Sequence, residues 1–167
     1  IANKGTIWKP YLIQRIVNHL GEVLEERKPE VLRTIDAISP ENYALVHQGL
    51  KAVVMDEEGT GKKAQVPGIE VAGKTGSVQV VNLKKNKNQS DVSILWKEHA
   101  MFASFAPVDS PEIVVIVVSE HDAIGGGGAA AAPVAGVILN KYFELKRQRG
   151  VSAQTESKVP EERVAKQ

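Results

Sequence analysis

Gly68-Ile69-Glu70-Val71-Ala72-Gly73-Lys74-Thr75-Gly76-Ser77-Val78-Gln79-Val80-Val81 is the stretch whose reading decides the fold. Its first eight residues satisfy G-x-x-x-x-G-K-[ST], the pattern of a phosphate-cradling loop. In such a loop an apolar strand ends at the first glycine, and Gly-Lys-Thr opens a helix whose N–H groups face the anion. The flanks here have the reverse order. Lys-Lys-Ala-Gln-Val-Pro precedes Gly68, Ile69-Glu70-Val71 is itself strand-forming, and Gly76 with three valines follows Thr75 and opposes a helix. The apolar run at 113–118, followed by Ser119-Glu120-His121-Asp122, imitates the acidic strand end that holds Mg²⁺ in nucleotide enzymes. Any central strand leading into a polar loop does the same, so a nucleotide binder is the remote alternative.

The remaining reading puts Lys74-Thr75-Gly76-Ser77 inside a strand. Alternation then places Thr75 and Ser77 on one face and Lys74 on the other. Gly76, without a side chain, lets a ligand backbone lie against the strand and hydrogen-bond as an added strand. Two hydroxyls can grip a carboxylate, and a nearby lysine adds positive charge. The stretch suits an extended peptide ending in a carboxylate. The plainer reading makes Lys74 a surface lysine and Thr75 and Ser77 ordinary strand residues.

Around this centre, residues 6–17 favour one strand, held to an edge or a strand start by Pro10. Pro29 divides 20–38 into a strand, a turn and a second short strand. Ser39-Pro40-Glu41-Asn42 starts a helix with the stripe Tyr43, Val46, Leu50, Val53, Val54, ended by Asp56-Glu57-Glu58-Gly59. Residues 59–63 and 82–95 read as polar loops, the second carrying Lys84, Lys85 and Lys87 on a solvated face. A strand at 99–106 closes at Pro107, and a turn at 109–112 leads to the strand at 113–118. That run is continuously β-branched, which predicts helices on both faces of the sheet. Gly125, Gly126, Gly127 and Gly128 break the pattern, either as a flexible turn or as the rim of a groove. A last helix with the stripe Val134, Val137, Ile138, Tyr142, Leu145 ends at Gly150. Residues 148–167 read as a polar, disordered tail.

The 167 residues are 43% hydrophobic and 25% charged, enough for one core of domain size. A formal net charge of +1 provides no field for nucleic acid. Without cysteine there is no disulfide, thiol nucleophile or thiolate metal site. His19, His47, His99 and His121 lack metal-ligand spacing, so no metal is expected, though His99 opens the strand after the Lys-Thr-Gly strand and stands as a candidate neighbour of the site. No apolar run approaches the ~20 residues that cross a bilayer. The start at Ile1 rather than a methionine suggests a piece of a longer chain.

Lys74-Thr75-Gly76-Ser77-Val78-Gln79, then His99-Ala100-Met101-Phe102-Ala103-Ser104-Phe105-Ala106-Pro107, then the Gly/Ala-rich helix start resemble, in that order, the penicillin-binding transpeptidases and their elongation-type class B branch. The likeness runs over roughly residues 1–143, and 1–147 is read as the last part of such a domain. It implies an α/β (α+β) fold, an antiparallel sheet covered by helices on both faces, as in penicillin-binding transpeptidases and serine β-lactamases. It also implies a serine acyl-enzyme acting on peptidoglycan stem peptides that end in D-Ala-D-Ala, and acylation by β-lactam antibiotics. Lys74 would then sustain the proton network and Thr75 and Ser77 would bind the substrate carboxylate. The Ser77 N–H would serve the oxyanion hole, Gly76 would admit the substrate backbone, and Gln79 would contact substrate. A membrane glycosyltransferase partner, the periplasmic face of the inner membrane and an anchoring helix outside this chain are implied too, and no cofactor. A D,D-carboxypeptidase, a β-lactamase or a β-lactam sensor is the alternative. No serine is followed at the third position by lysine and no Ser-x-Asn occurs, so the nucleophile is not in this chain, and the chain alone is expected to be inactive.

Overall fold

The computed structural model describes residues 1–79 and 97–156, with side chains to residue 150. Val80, Val81, the lysine-bearing connection and residues 157–167 lie outside the described residues. The chain divides into two compact units, Ile1–Gly49 and Leu50 onward.

In the first unit β1 (Thr6–Trp8) pairs antiparallel with β4 (Val31–Thr34), and β2 (Arg15–Val17) with β3 (Val23–Glu26). The single strand expected over 6–17 is therefore two strands with different partners. Pro10 has no N–H to give to a ladder, so pairing stops at Trp8 and resumes only at Arg15. Pro29 lies between β3 and β4, in an irregular segment that interrupts the two strands. Asn18 closes the β2–β3 hairpin, its Oδ1 accepting from Leu20 N at 2.9 Å and Glu22 N at 3.0 Å.

Helix α1 (Pro40–Met55) starts where its cap predicts. Ser39 Oγ accepts from Asn42 N at 3.3 Å, satisfying one of the free N–H groups of the first turn. Ser39→Ala should cost ~1 kcal/mol, read as a lower thermal midpoint; an unchanged midpoint would remove the cap from the account. Tyr43 and Val54 are buried as expected, but Val46 is exposed and His47 takes its place inside. His47 Nε2 lies 3.0 Å from the Ile1 carbonyl oxygen, which gives the buried ring a partner.

The second unit is a three-stranded antiparallel sheet in the order β5 (Ala72–Val78), β6 (His99–Ala106), β7 (Ile113–Ser119), with helix α2 (Ala132–Glu156) packed on it. Mixed helix and antiparallel sheet is the class expected. Val54, Val71, Phe102 and Leu139 form the fully buried centre, with Val115, Phe143 and a set of alanines around it. Of the stripe expected on α2, Tyr142 packs partly buried against the core, but the other members lie on the outer side of the helix. Val134, Val137 and Ile138 are exposed, whereas Ala132, Ala135, Leu139 and Phe143 face the core. Small residues hold the first turns, at Ala132, Ala135 and Gly136, where the helix passes close to the Lys63–Ala64 backbone: a Cβ on Gly136 would stand 2.7 Å from the Lys63 carbonyl oxygen. Gly150 does not end α2, which runs on to Glu156 and across the expected start of the tail. One glycine costs about 1 kcal/mol, and the flanking Lys, Arg, Gln and Glu residues are good helix formers.

Cover on both sheet faces is not seen among the described residues. Val115 and Phe102 point into the core beneath α2, but Val114, Ile116 and Val118 remain 57, 65 and 51% exposed on the other face. An apolar run reports that both faces are fit for burial; it does not supply the covering element.

Candidate active site

The Lys-Thr-Gly segment is the edge strand β5, hydrogen-bonded among the described residues only to β6. This excludes the phosphate-loop geometry, because Gly73-Lys74-Thr75 lies in mid-strand and opens no helix. The register pairs Thr75 with Phe102 and Ser77 with Ala100, while Lys74 pairs with Ala103 and Gly76 with Met101. Partners in register share a face, so the two hydroxyls lie on the core side with Phe102 and Ala100, and Lys74 lies on the opposite face. Lys74 is exposed, and its Nζ donates to the Thr75 carbonyl oxygen at 2.7 Å. Thr75 and Gly76 are half-buried; Ser77 and Gln79 are exposed, Gln79 standing one residue beyond the strand end.

Two further features adjoin the strand, one that the sequence reading did not assign and one that it left between two readings. Thr60, in the loop after α1, brings its Oγ1 to 3.1 Å from Thr75 Oγ1. Its neighbours Gly59 and Gly61 are the only hint of close packing that the sequence holds there. The second feature is the glycine run. Gly125 and Gly126 take left-handed backbone angles, φ 127° and 85°, and lead into a π-helical turn, Gly127–Ala131, that opens α2. This elbow is pressed onto β5. A Cβ on Gly127 would collide with the Met101 carbonyl and stand 2.9 Å from both Gly76 N and Gly76 O, and one on Gly126 would stand 3.1 Å from Ser77 Oγ. The run is therefore not a free turn: it is packed closely against the hydroxyl face of the strand.

Asp122 holds the elbow. Its carboxylate accepts from Ile124 N at 3.1 Å, Gly125 N at 2.9 Å and Gly126 N at 2.7 Å. The Gly126 N–H above all, then those of Gly125 and Ile124, keep this carboxyl below the ordinary carboxylate range. A depressed folded-state pKa means that the contribution is complete at neutral pH. It is lost only as the pH falls below that range and the carboxylate protonates. The connector is fixed upstream as well: Asp122 N donates to the Glu98 carbonyl at 2.8 Å, and His121 N donates to His99 Nδ1 at 2.9 Å. His99 pairs in register with Val78, so the expected neighbour of the site is reached through this connector. His99 and His121 stack edge to face, with ring centroids 4.8 Å apart.

The chain is 32% identical over 146 residues to the peptidoglycan D,D-transpeptidase MrdA of Haemophilus influenzae, covering 86% of this chain and 22% of that one. Among solved structures, the D,D-transpeptidase domain of a peptidoglycan glycosyltransferase from Eggerthella lenta superposes with a TM-score of 0.65 at 30% identity, over 87% of this chain and 30% of that one. Penicillin binding protein 3 of Mycobacterium tuberculosis, solved in complex with aztreonam, superposes with a TM-score of 0.63 at 30% identity, over 87% and 33%. The chain thus spans between a fifth and a third of the proteins it matches. The family description "Penicillin binding protein transpeptidase domain" matches residues 1–140, and this chain therefore belongs to the penicillin-binding protein transpeptidase family.

Proposed function

We propose that this chain supplies the substrate-binding strand of a peptidoglycan D,D-transpeptidase of the cell-elongation type, whose nucleophilic serine lies elsewhere in the complete protein. The observation that carries the reading is the edge position of β5, with Thr75 and Ser77 together on the face walled by the glycine elbow. An unpaired strand edge accepts an extended peptide as an added strand, which suits a stem peptide ending in D-Ala-D-Ala. The Thr75 and Ser77 hydroxyls hold the terminal carboxylate. On an antiparallel edge strand every second residue turns its N–H and C=O outward. The Thr75 carbonyl is taken by Lys74 Nζ rather than left to the ladder alone, which favours Thr75 and Ser77 as the outward set. The Ser77 N–H is then available to a developing oxyanion.

In the complete reaction an activated serine attacks the penultimate D-Ala carbonyl, terminal D-Ala leaves, and an amine of a neighbouring stem accepts the acyl group. A β-lactam follows the first half of that course and stays on the serine. Lys74 maintains positive charge and the proton network beside the nucleophile, Gly76 gives the substrate backbone room, and Gln79 contacts the extending peptide. Such an enzyme works at the periplasmic face of the inner membrane beside a membrane glycosyltransferase. Residues 1–147 form the last part of its transpeptidase domain.

The test is the intact mass of the full-length protein after exposure to a β-lactam, followed in time. Wild-type protein gains the mass of the drug. Thr75→Val removes one partner of a charged group and should slow acylation by roughly tenfold to a hundredfold, equivalent to ~1–3 kcal/mol. Unchanged kinetics in the valine variant would exclude Thr75 from the carboxylate site. No adduct on the wild-type protein would exclude the acyl-enzyme reading.

A further inference from the structure

We propose that Asp122 is a positioning residue for the substrate carboxylate, holding the glycine elbow as the fixed wall of the pocket that Thr75 and Ser77 form. This rests on the reading of those two hydroxyls given above. Four consecutive glycines, Gly125 to Gly128, would by themselves sample many backbone states, since glycine loses more freedom on ordering than any other residue. The Asp122 carboxylate selects one state. Its two oxygens take the N–H groups of Ile124, Gly125 and Gly126, the last two being the residues with left-handed φ. The state selected is the one in which Gly126 approaches Ser77 Oγ and Gly127 closes on the Gly76 backbone.

The anchor is itself tied to the strand it serves. Asp122 N is bound to the Glu98 carbonyl, His121 N to His99 Nδ1, and His99 pairs with Val78 at the end of β5. Strand and connector are thus joined by bonds, and the elbow is joined to the connector by bonds and to the strand by close packing. The Asp122 oxygens accept from the Ile124, Gly125 and Gly126 backbone, and these bonds tie the side chain to the elbow and not to Thr75 or Ser77. It acts through the elbow, which restricts the room around Ser77 and so the angle at which a carboxylate meets the two hydroxyls. Release of the elbow therefore affects ligands that carry this carboxylate more than ligands that lack it.

The test compares acylation of the full-length protein by one β-lactam as its free acid and as its methyl ester, followed by intact mass. Wild-type protein favours the acid. Asp122→Ala should lower the acid rate by roughly tenfold, the scale of one hydrogen bond to a charged group, and leave the ester rate nearly unchanged. Asp122→Asn is isosteric, keeps one acceptor oxygen and should fall between, so it decides the matter if the alanine variant is poorly folded. Thr75→Val is the reference and should reduce the acid-to-ester ratio as well. If Thr75→Val lowers the ratio while both Asp122 variants leave it at the wild-type value, or slow acid and ester equally, Asp122 has only a structural role and the inference is overturned. If Thr75→Val itself leaves the ratio unchanged, the carboxylate site has been misplaced, and the inference fails with the reading beneath it.

Discussion

Phe102→Ala should lower the stability of the sheet-and-helix unit by ~3–5 kcal/mol, the cost of removing a fully buried aromatic ring and leaving a cavity. The ring is completely excluded from solvent on the middle strand, among Val54, Val71, Leu139 and the alanines of α2. It also lies against bare backbone: a Cβ on Gly73 or Gly61 would come within 2.5 or 2.8 Å of its ring carbons. Gly73 immediately precedes Lys74 in β5, and Gly61 immediately follows Thr60. The cavity would therefore loosen the two segments that present the Thr60 and Thr75 hydroxyls, in addition to the core. Urea unfolding of the full-length protein, followed by a probe of this unit, should show the shift in midpoint, with acylation falling alongside it. A shift corresponding to less than about 1 kcal/mol, the scale of a single methyl-sized defect, would mean that the ring is not the keystone of the unit.

The second large effect concerns Lys74. Its removal in Lys74→Ala should lower the second-order rate of acylation by about 10²-fold to 10⁴-fold, the range a positioned proton-transfer group contributes. The side chain is exposed on the face opposite Thr75 and touches its own strand through the Thr75 carbonyl. Loss of the lysine therefore removes little packing, and the thermal midpoint should scarcely move. Lys74→Arg keeps the charge but replaces a compact ammonium with a planar fork that cannot give up its proton, so it should restore only a minor part of the rate. The measurement is time-resolved intact mass with the midpoint recorded in parallel. An alanine variant within threefold of wild type would show that Lys74 is a surface residue.

Several elements could be read from residues alone because local chemistry fixes them. Ser39 and Pro40 mark the start of α1 within one residue, since a cap and a preset φ act on their nearest neighbours. Pro29 falls between β3 and β4 for the same kind of reason. The strand at 72–78 was legible because Gly76 and the valines around it exclude a helix, whatever the glycine-lysine-threonine pattern suggests. The errors have a common source. On α2 the periodicity gives the core to Val134, Val137 and Ile138, but the close approach of the helix to the Lys63–Ala64 backbone favours alanine and glycine there, and no one-dimensional periodicity encodes that approach. Val46 lost its place to His47 because a buried polar ring is acceptable once the Ile1 carbonyl, forty-six positions away, is brought to it.

The site divides along the same line. Lys74, Thr75, Gly76 and Ser77 could be named from their order, because alternation along a strand is a local property and the family likeness sits on those very letters. Thr60 and Asp122 could not: Thr60 reaches Thr75 across a fold in the chain, and the Asp122 carboxylate bonds only the residues just after it, whose contact with the strand is made between segments far apart in the chain. The sequence by itself determined that a Lys-Thr-Gly strand is present and which of its side chains share a face. The tertiary structure decided what that face looks onto: Thr60 beside Thr75, and a glycine elbow, held by Asp122, against Gly76 and Ser77. The physical reason is that a strand fixes the direction of its own side chains, whereas the wall opposite them is set by packing, where the absence of a Cβ on Gly126 and Gly127 matters as much as any group that is present.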